Sequence, residues 1–429
     1  VMFDQCKALI IGLQKRGAVV GSSLNTAYLL ERLSQTLERL KTLMAIFVSN
    51  RYLPRRILLL TGCFARAAAE RHSISRLWKQ SSGLIARSVT QNAGDHGEHY
   101  ITRDKKEYWA MFYSAAGGGV LIALMALFKT YLGSIIDDKV WKGLAEGLNY
   151  GFGFMVIFML HFTVATKQPA MTAARFAEAV EKNPQGKTLN MKLAQLLVDV
   201  FRSQSVAVLG NVVVAMGLAA LIAFVYQHQT GEPLMNSEKI AYQLHRIDPL
   251  DGSLWFAAIA GVWLFCSGII SGYFDNRSNY LNMRMRLAQH PLLKKLMSEK
   301  SRVKFANYMH ENYGSLIGNF CFGMLLGLTG LVGYLTHLPL DIRHVAFSSA
   351  NLGYSAVSGQ FAYPFFLQCI AFVLLIGLVN LMVSFSLTLW VALRSLNTEI
   401  DSWWAIWHEV CQIVRKRPLS LFFPVQLDK

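Results

Sequence analysis

Six apolar runs dominate the hydropathy pattern: Tyr108–Phe128, Leu148–Thr166, Ser203–Tyr226, Leu254–Phe274, Tyr313–Thr336 and Pro364–Leu393. Each has about 19 residues or more, enough to cross roughly 30 Å of hydrocarbon as a helix at about 1.5 Å per residue. None of the 42 Lys and Arg or 26 Asp and Glu residues falls inside these runs. A charge at the bilayer centre costs a few kcal/mol or more, so this exclusion marks membrane spans. Ahead of them the pattern changes to helical amphipathicity: Leu30, Leu33, Leu37, Leu40 and Met44 recur at helical spacing, and the stretch from Arg55 to Val89 reads as a second helical unit. Gln91–Gly97 reads as a linker into the membrane part. Further helices are expected at Ala170–Glu181, Leu281–Tyr308 and Glu399–Val414, packed on the N-terminal helices or lying in the headgroup layer.

Composition agrees with this reading, at 53% hydrophobic and 16% charged residues with a mean hydropathy of +0.32. The basic residues set the orientation. They crowd the region before the first run, the second and fourth inter-run loops and the tail (Arg415, Lys416, Arg417), while the other three loops are poor in cations. By the positive-inside rule all the basic parts lie in the cytoplasm, with both termini. The formal charge of +16 is then mostly this bias plus attraction to anionic headgroups. Nucleic-acid binding is the other reading of such charge, but the sequence holds no zinc-finger spacing, RNP motif or basic-leucine repeat. Cys266, Cys321 and Cys369 sit in the runs and Cys6, Cys63 and Cys411 in cytoplasmic parts, so neither disulfides nor a metal site is expected. The chain opens Val-Met without a signal peptide and is expected to continue a longer N-terminal region.

Small and polar residues inside the runs indicate how the helices meet. Gly323 and Gly327, followed by Gly330, and the pair Gly268 and Gly272 permit close backbone approach. Asn211, Asn319, His161, Asn380, Ser384 and Ser386 are the polar groups at membrane depth, suited to interhelical hydrogen bonds, and His161 could also carry a proton or a ligand. Gly210–Tyr226 and Gly318–Tyr334 both open with Gly-Asn and close with Tyr at the same spacing, which suggests three tandem hairpins.

The candidate site is Leu338–Ser355, LPLDIRHVAFSSANLGYS. With Pro339 starting a helix, Asp341 falls in its first turn, and Asp341, His344, Ser348 and Asn351 share one face. The charge rule places this stretch on the outer side. It is expected to be a short interfacial helix braced by Asp341 pairing with Arg343 or His344, or a face for a lipid headgroup or small solute. Catalysis is disfavoured because Asp and His without a nucleophile or metal make an incomplete site.

Tyr273–Asn276 (YFDN), Glu311–Gly327 (ENYGSLIGNFCFGMLLG) and Leu338–Gly353, in this order, resemble the bacterial Gcr-type proteins known as site-specific recombinases. The resemblance extends from Lys105–Gly119 to the tail and implies DNA strand exchange. The residues argue otherwise: a tyrosine recombinase needs a His-x-x-Arg element, and none of the eleven histidines is followed by Arg at that spacing. The expectation is an all-α, polytopic inner-membrane protein. It has a helical cytoplasmic domain over residues 1–97, a six-span membrane domain over 98–398 and a cytoplasmic helix and tail over 399–429. Its expected role is non-enzymatic handling or transport of a lipid or small solute, or envelope organisation, with recombination or an accessory role in it as the alternative. The expected partners are membrane lipids and a small solute or headgroup, not nucleic acid; no cofactor is implied, and a homo-oligomer is compatible with the sequence.

Overall fold

The computed structural model describes residues 2–20, 24–47, 53–70, 101–102, 104–165, 179–180, 187–395, 400 and 402–424, which are helical or irregular with no β-strand among them. In chain order the helices are α1 Met2–Val20, α2 Leu24–Phe47, α3 Leu53–Glu70, α4 Lys105–Ile135, α5 Lys139–Met159, α6 Lys187–Thr230, α7 Ser237–Ile247, α8 Ser253–Tyr280, α9 Met283–Gln289, α10 Pro291–Leu296, α11 Glu299–Thr336, α12 Val345–Ser358, α13 Tyr363–Ser395 and α14 Trp403–Lys416. The expected linker at Gln91–Gly97, and most of the expected helix at Ala170–Glu181, lie outside the described residues. The chain divides into two compact units. One holds Val1–Asn92, Gly272–Tyr313 and Arg394–Asn397; the other holds Ala93–Ser271, Gly314–Leu393 and Thr398–Lys429.

In the first unit α1 and α2 are tied by a Lys7–Glu38 ion pair of 2.8 Å, exposed and therefore of little energetic weight. The end of α8 meets the start of α11 through Ser278 and His310, 3.1 Å apart.

The second unit holds the apolar bundle. Its helices begin where polar caps allow: Asp104 accepts from the Glu107 N–H at 2.8 Å, Asp138 from Val140 and Trp141, and Asn236 from Lys239. Among the described residues, five helices are long and apolar enough to cross a membrane: α4, α6, α8, α11 and α13. Large apolar side chains such as Leu124, Phe128, Leu221, Phe224, Leu374, Leu378 and Met382 stand exposed along them, as lipid-facing surfaces do. The bundle's inner faces pack Ile122, Phe154, Leu264, Phe322, Leu326 and Phe347 into one core.

The second of the six expected spans is not a continuous helix. α5 starts earlier, carries Lys139, Lys142 and Glu146, and stops at Met159. His161 then takes a left-handed conformation (φ 57°) and Phe162–Val164 run outside any helix. No proline or glycine marks this break, so hydropathy alone runs through it. α5 nevertheless belongs to the bundle. Gly327 lies against the backbone of Gly147, and Gly323 against that of Tyr150 and Gly151, so closely that a Cβ at either position would collide with main chain. This is the close approach that the Gly323/Gly327 spacing predicts.

Candidate functional site

α11 also ends at a left-handed histidine, His337 (φ 55°), and the chain then doubles back along it. Gly333 lies against Leu340 O, Gly330 is near Asp341 Oδ1, and the His344 ring reaches Phe322. Only at Val345 does α12 begin. The helix start expected at Pro339 is therefore corrected: Asp341 stands in the returning strand, outside α12, and does not share a helical face with Ser348 and Asn351. Nor is α12 an interfacial helix. Residues 345–350 and 352–355 are all buried, with Gly353 against Met216 O and Ala219 of α6, and Tyr354 donating to Ala123 O of α4 at 3.0 Å.

The expected polar cluster separates into two parts. Asp341 Oδ2 accepts from Arg343 Nη1 at 2.6 Å and Oδ1 accepts from Arg246 Nη2 at 3.3 Å and from the Ile342 N–H at 2.7 Å. Arg343 also donates from Nε to Arg246 O at 2.6 Å, and its guanidinium lies 4.8 Å from the Phe256 ring centroid. Burial alone would raise the Asp341 carboxyl, but the two arginines outweigh it and hold it below the ordinary carboxylate range. Of the two expected pairings, Arg343 makes one and His344 does not. The His344 ring is fully buried among Phe154, Phe322 and Phe347, with centroids 5.8–6.1 Å away. The Arg246–Asp341–Arg343 group thus braces the returning strand.

Arg246 was not singled out from the sequence, although a lone arginine in a cation-poor loop between two apolar runs is a usable signal. Nor was the Lys129–Glu146 pair (2.9 Å) between α4 and α5, where Lys129 Nζ also stands 5.4 Å from the Tyr150 ring.

Two asparagines carry the breaks in the chain. Asn380 on α13 accepts from the Val345 N–H at 3.1 Å, supplying the first turn of α12 with a cap from another helix, and its amide donates to Arg343 O (2.9 Å) and to Ala257 O of α8 (2.7 Å). Asn211 on α6 accepts from the Ala165 N–H at 2.8 Å and donates to Thr163 O (2.9 Å) and to Ala115 O of α4 (2.5 Å). Each is buried and ties an irregular strand to two helices. The sequence match of Asn211 with Asn319 does not carry over into roles, because Asn319 donates to Ser315 O within its own helix. His161 sits exposed at the turn after α5, where its carbonyl accepts from the Ser114 hydroxyl, not inside a span. Gly268 and Gly272 lie on α8.

Compared with known proteins, residues 1–424 match the family model described as site-specific recombinase. No curated protein and no solved structure matches.

Proposed function

The chain belongs to the site-specific recombinase family, the match covering nearly its whole length, and we propose that it is a non-enzymatic membrane protein that handles or transports a small solute or lipid. The observation carrying this reading is the pair of irregular strands, 160–165 and 338–344, each held by a buried asparagine inside an apolar bundle. Irregular backbone at membrane depth is tolerated only where protein buries it or where it lines a cavity, and broken helices of this kind are the working parts of many transporters. In this reading α5 is the sixth crossing, the termini are cytoplasmic and the membrane is the bacterial inner one. These placements rest on the basic loops and on the packing of α5 against α4 and α11.

The family's label names the second reading, strand exchange on DNA. The sequence offers it no His-x-x-Arg element. The two readings part on purified, detergent-solubilised protein. The first predicts thermal stabilisation by at least one of a panel of lipids and small solutes, with no cleavage or joining of duplex DNA. DNA strand exchange, with affinity falling linearly in log K against log salt, supports the second and overturns the first.

A further inference from the structure

The two asparagine sites match atom for atom. Asn211 bridges Ala165 N–H, Thr163 O and Ala115 O; Asn380 bridges Val345 N–H, Arg343 O and Ala257 O. In each the donor and acceptor on the irregular strand are two residues apart. The middle of each match is the same as well: Thr163 N–H donates to Ser114 O at 3.1 Å, and Arg343 N–H donates to Phe256 O at 3.2 Å, in both cases the residue before the alanine that the asparagine contacts. Four residues beyond that alanine stands a glycine, Gly119 or Gly261. A Cβ on Gly119 would meet Asn211 O at 2.8 Å and Val214 Cβ at 3.2 Å; one on Gly261 would meet Asn380 O at 3.0 Å and Val383 Cβ at 2.8 Å. The valine is three residues past the asparagine each time. Finally, the helices that lead into the strands both stop at a left-handed histidine, His161 and His337.

These coincidences pair α4 with α8, α5 with α11, strand 160–165 with strand 338–344, and α6 with α13. The helix directions then fix how the copies are related. Contacts of α6 with α4 and with Thr102 just before it advance together along both segments, from Thr102/Ser203 through Ala115/Gly210 to Gly119/Ala215, so these helices are parallel. Ala257/Asn380 and Gly261/Val383 do the same for α8 and α13. α5 and α11, which are counterparts, run antiparallel, through Gly143/Leu331, Gly147/Gly327 and Gly151/Gly323. Equivalent helices therefore point in opposite directions.

We infer that α4–α6 and α8–α13 are two copies of one unit inserted in the membrane in opposite orientations, and that strands 160–165 and 338–344 are paired gates opening to opposite faces of the bilayer. The copies meet at the crossing of α5 and α11, and a solute pathway passes between the two strands. Inverted repeats of this type place the binding site at the repeat interface and work by rocking one copy against the other. The arrangement replaces the tandem-hairpin repeat suggested by the Gly-Asn matches. It rests on the transport reading only in calling the strands gates; the inversion itself stands on the hydrogen bonds and helix directions.

The test is thiol labelling in sealed membrane vesicles of both orientations. His161→Cys and His337→Cys are made separately in full-length protein whose Cys6, Cys63, Cys266, Cys321, Cys369 and Cys411 are replaced by alanine. An impermeant maleimide should label the first position from one face only and the second from the other. Leu160→Cys and Leu338→Cys, both exposed neighbours, serve if a histidine variant does not fold. Labelling of both positions from the same face overturns the inversion. Labelling of neither, with both reactive after denaturation, overturns the gates. Loss of the transport reading by the DNA assay would leave the opposite-face pattern intact, so the two failures are separable.

Discussion

Replacing Asn380 by alanine removes a cap, a tether and a cross-link in one step. The Val345 N–H loses the Asn380 carbonyl as its acceptor and is left in a buried, apolar setting, while Arg343 O and Ala257 O each lose a donor. Ala257 O also faces the helical N–H four residues on, so its loss is small. An orphaned buried donor costs about 1–3 kcal/mol, and losing a helix N-cap costs about 0.5–2 kcal/mol. Removing the buried amide itself gives some of that back. The net destabilisation expected is about 2–3 kcal/mol, and Asn211→Ala should lose a similar amount, since its three bonds are equivalent. Asn319→Ala supplies the control: its amide donates one turn back within α11, so the change should cost less than about 1 kcal/mol. Equilibrium unfolding in a detergent mixture titrated with SDS reads all three. If Asn380→Ala and Asn319→Ala unfold at the same SDS fraction, the claim that Asn380 holds the broken segment is refuted.

Gly327→Leu should destabilise the bundle by about 3 kcal/mol or prevent its assembly, because its side chain would push against the main chain of α5; unchanged thermal stability in detergent would contradict the packing. Asp341→Asn should cost about 1–2 kcal/mol at neutral pH through the weakened bonds to Arg246 and Arg343. Because the folded-state pKa of Asp341 is lowered, this contribution is complete above its unfolded value near 4 and is lost as pH falls through the folded-state value, so wild type and variant should converge in stability under acid conditions. Arg202→Met should loosen the C-terminal segment, since Arg202 donates to Thr102 O at 2.5 Å and to Ser420 O at 3.3 Å; limited proteolysis should then cut after residue 402 faster than in wild type.

The long apolar helices, the Gly323/Gly327 contact and the interhelical hydrogen bonds of Asn211 and Asn380 could be read from the sequence because each follows from a local rule: length of an apolar run, spacing of small residues, a polar amide among apolar neighbours. The breaks could not. His161 turns the chain within an uninterrupted apolar run, and nothing near it in sequence signals a left-handed residue. Pro339 looks like a helix start, yet α12 waits until Val345, because the cap it uses comes from Asn380 on another helix and Asp341 is taken up by Arg246 and Arg343. The Gly-Asn match misleads about hydrogen-bonding roles for a related reason. Gly-Asn occurs at 210–211 and 318–319, so letters pair Asn211 with Asn319, whereas the role of Asn211 is repeated by Asn380 within LVNLMV. Equivalent hydrogen bonds are thus made from dissimilar sequence neighbourhoods.

The central claim, that a membrane protein of this family moves a small molecule through a pathway between two opposed half-structures, is tested most directly in sealed proteoliposomes. Headgroup-labelled lipids and a panel of radiolabelled solutes are followed across the bilayer with wild-type protein, with Asn211→Ala and with Asn380→Ala, against protein-free vesicles. The account predicts that wild type accelerates movement of at least one compound and that both asparagine variants slow the same compound. No movement above protein-free vesicles by folded protein, together with strand exchange on DNA by the same preparation, would contradict it.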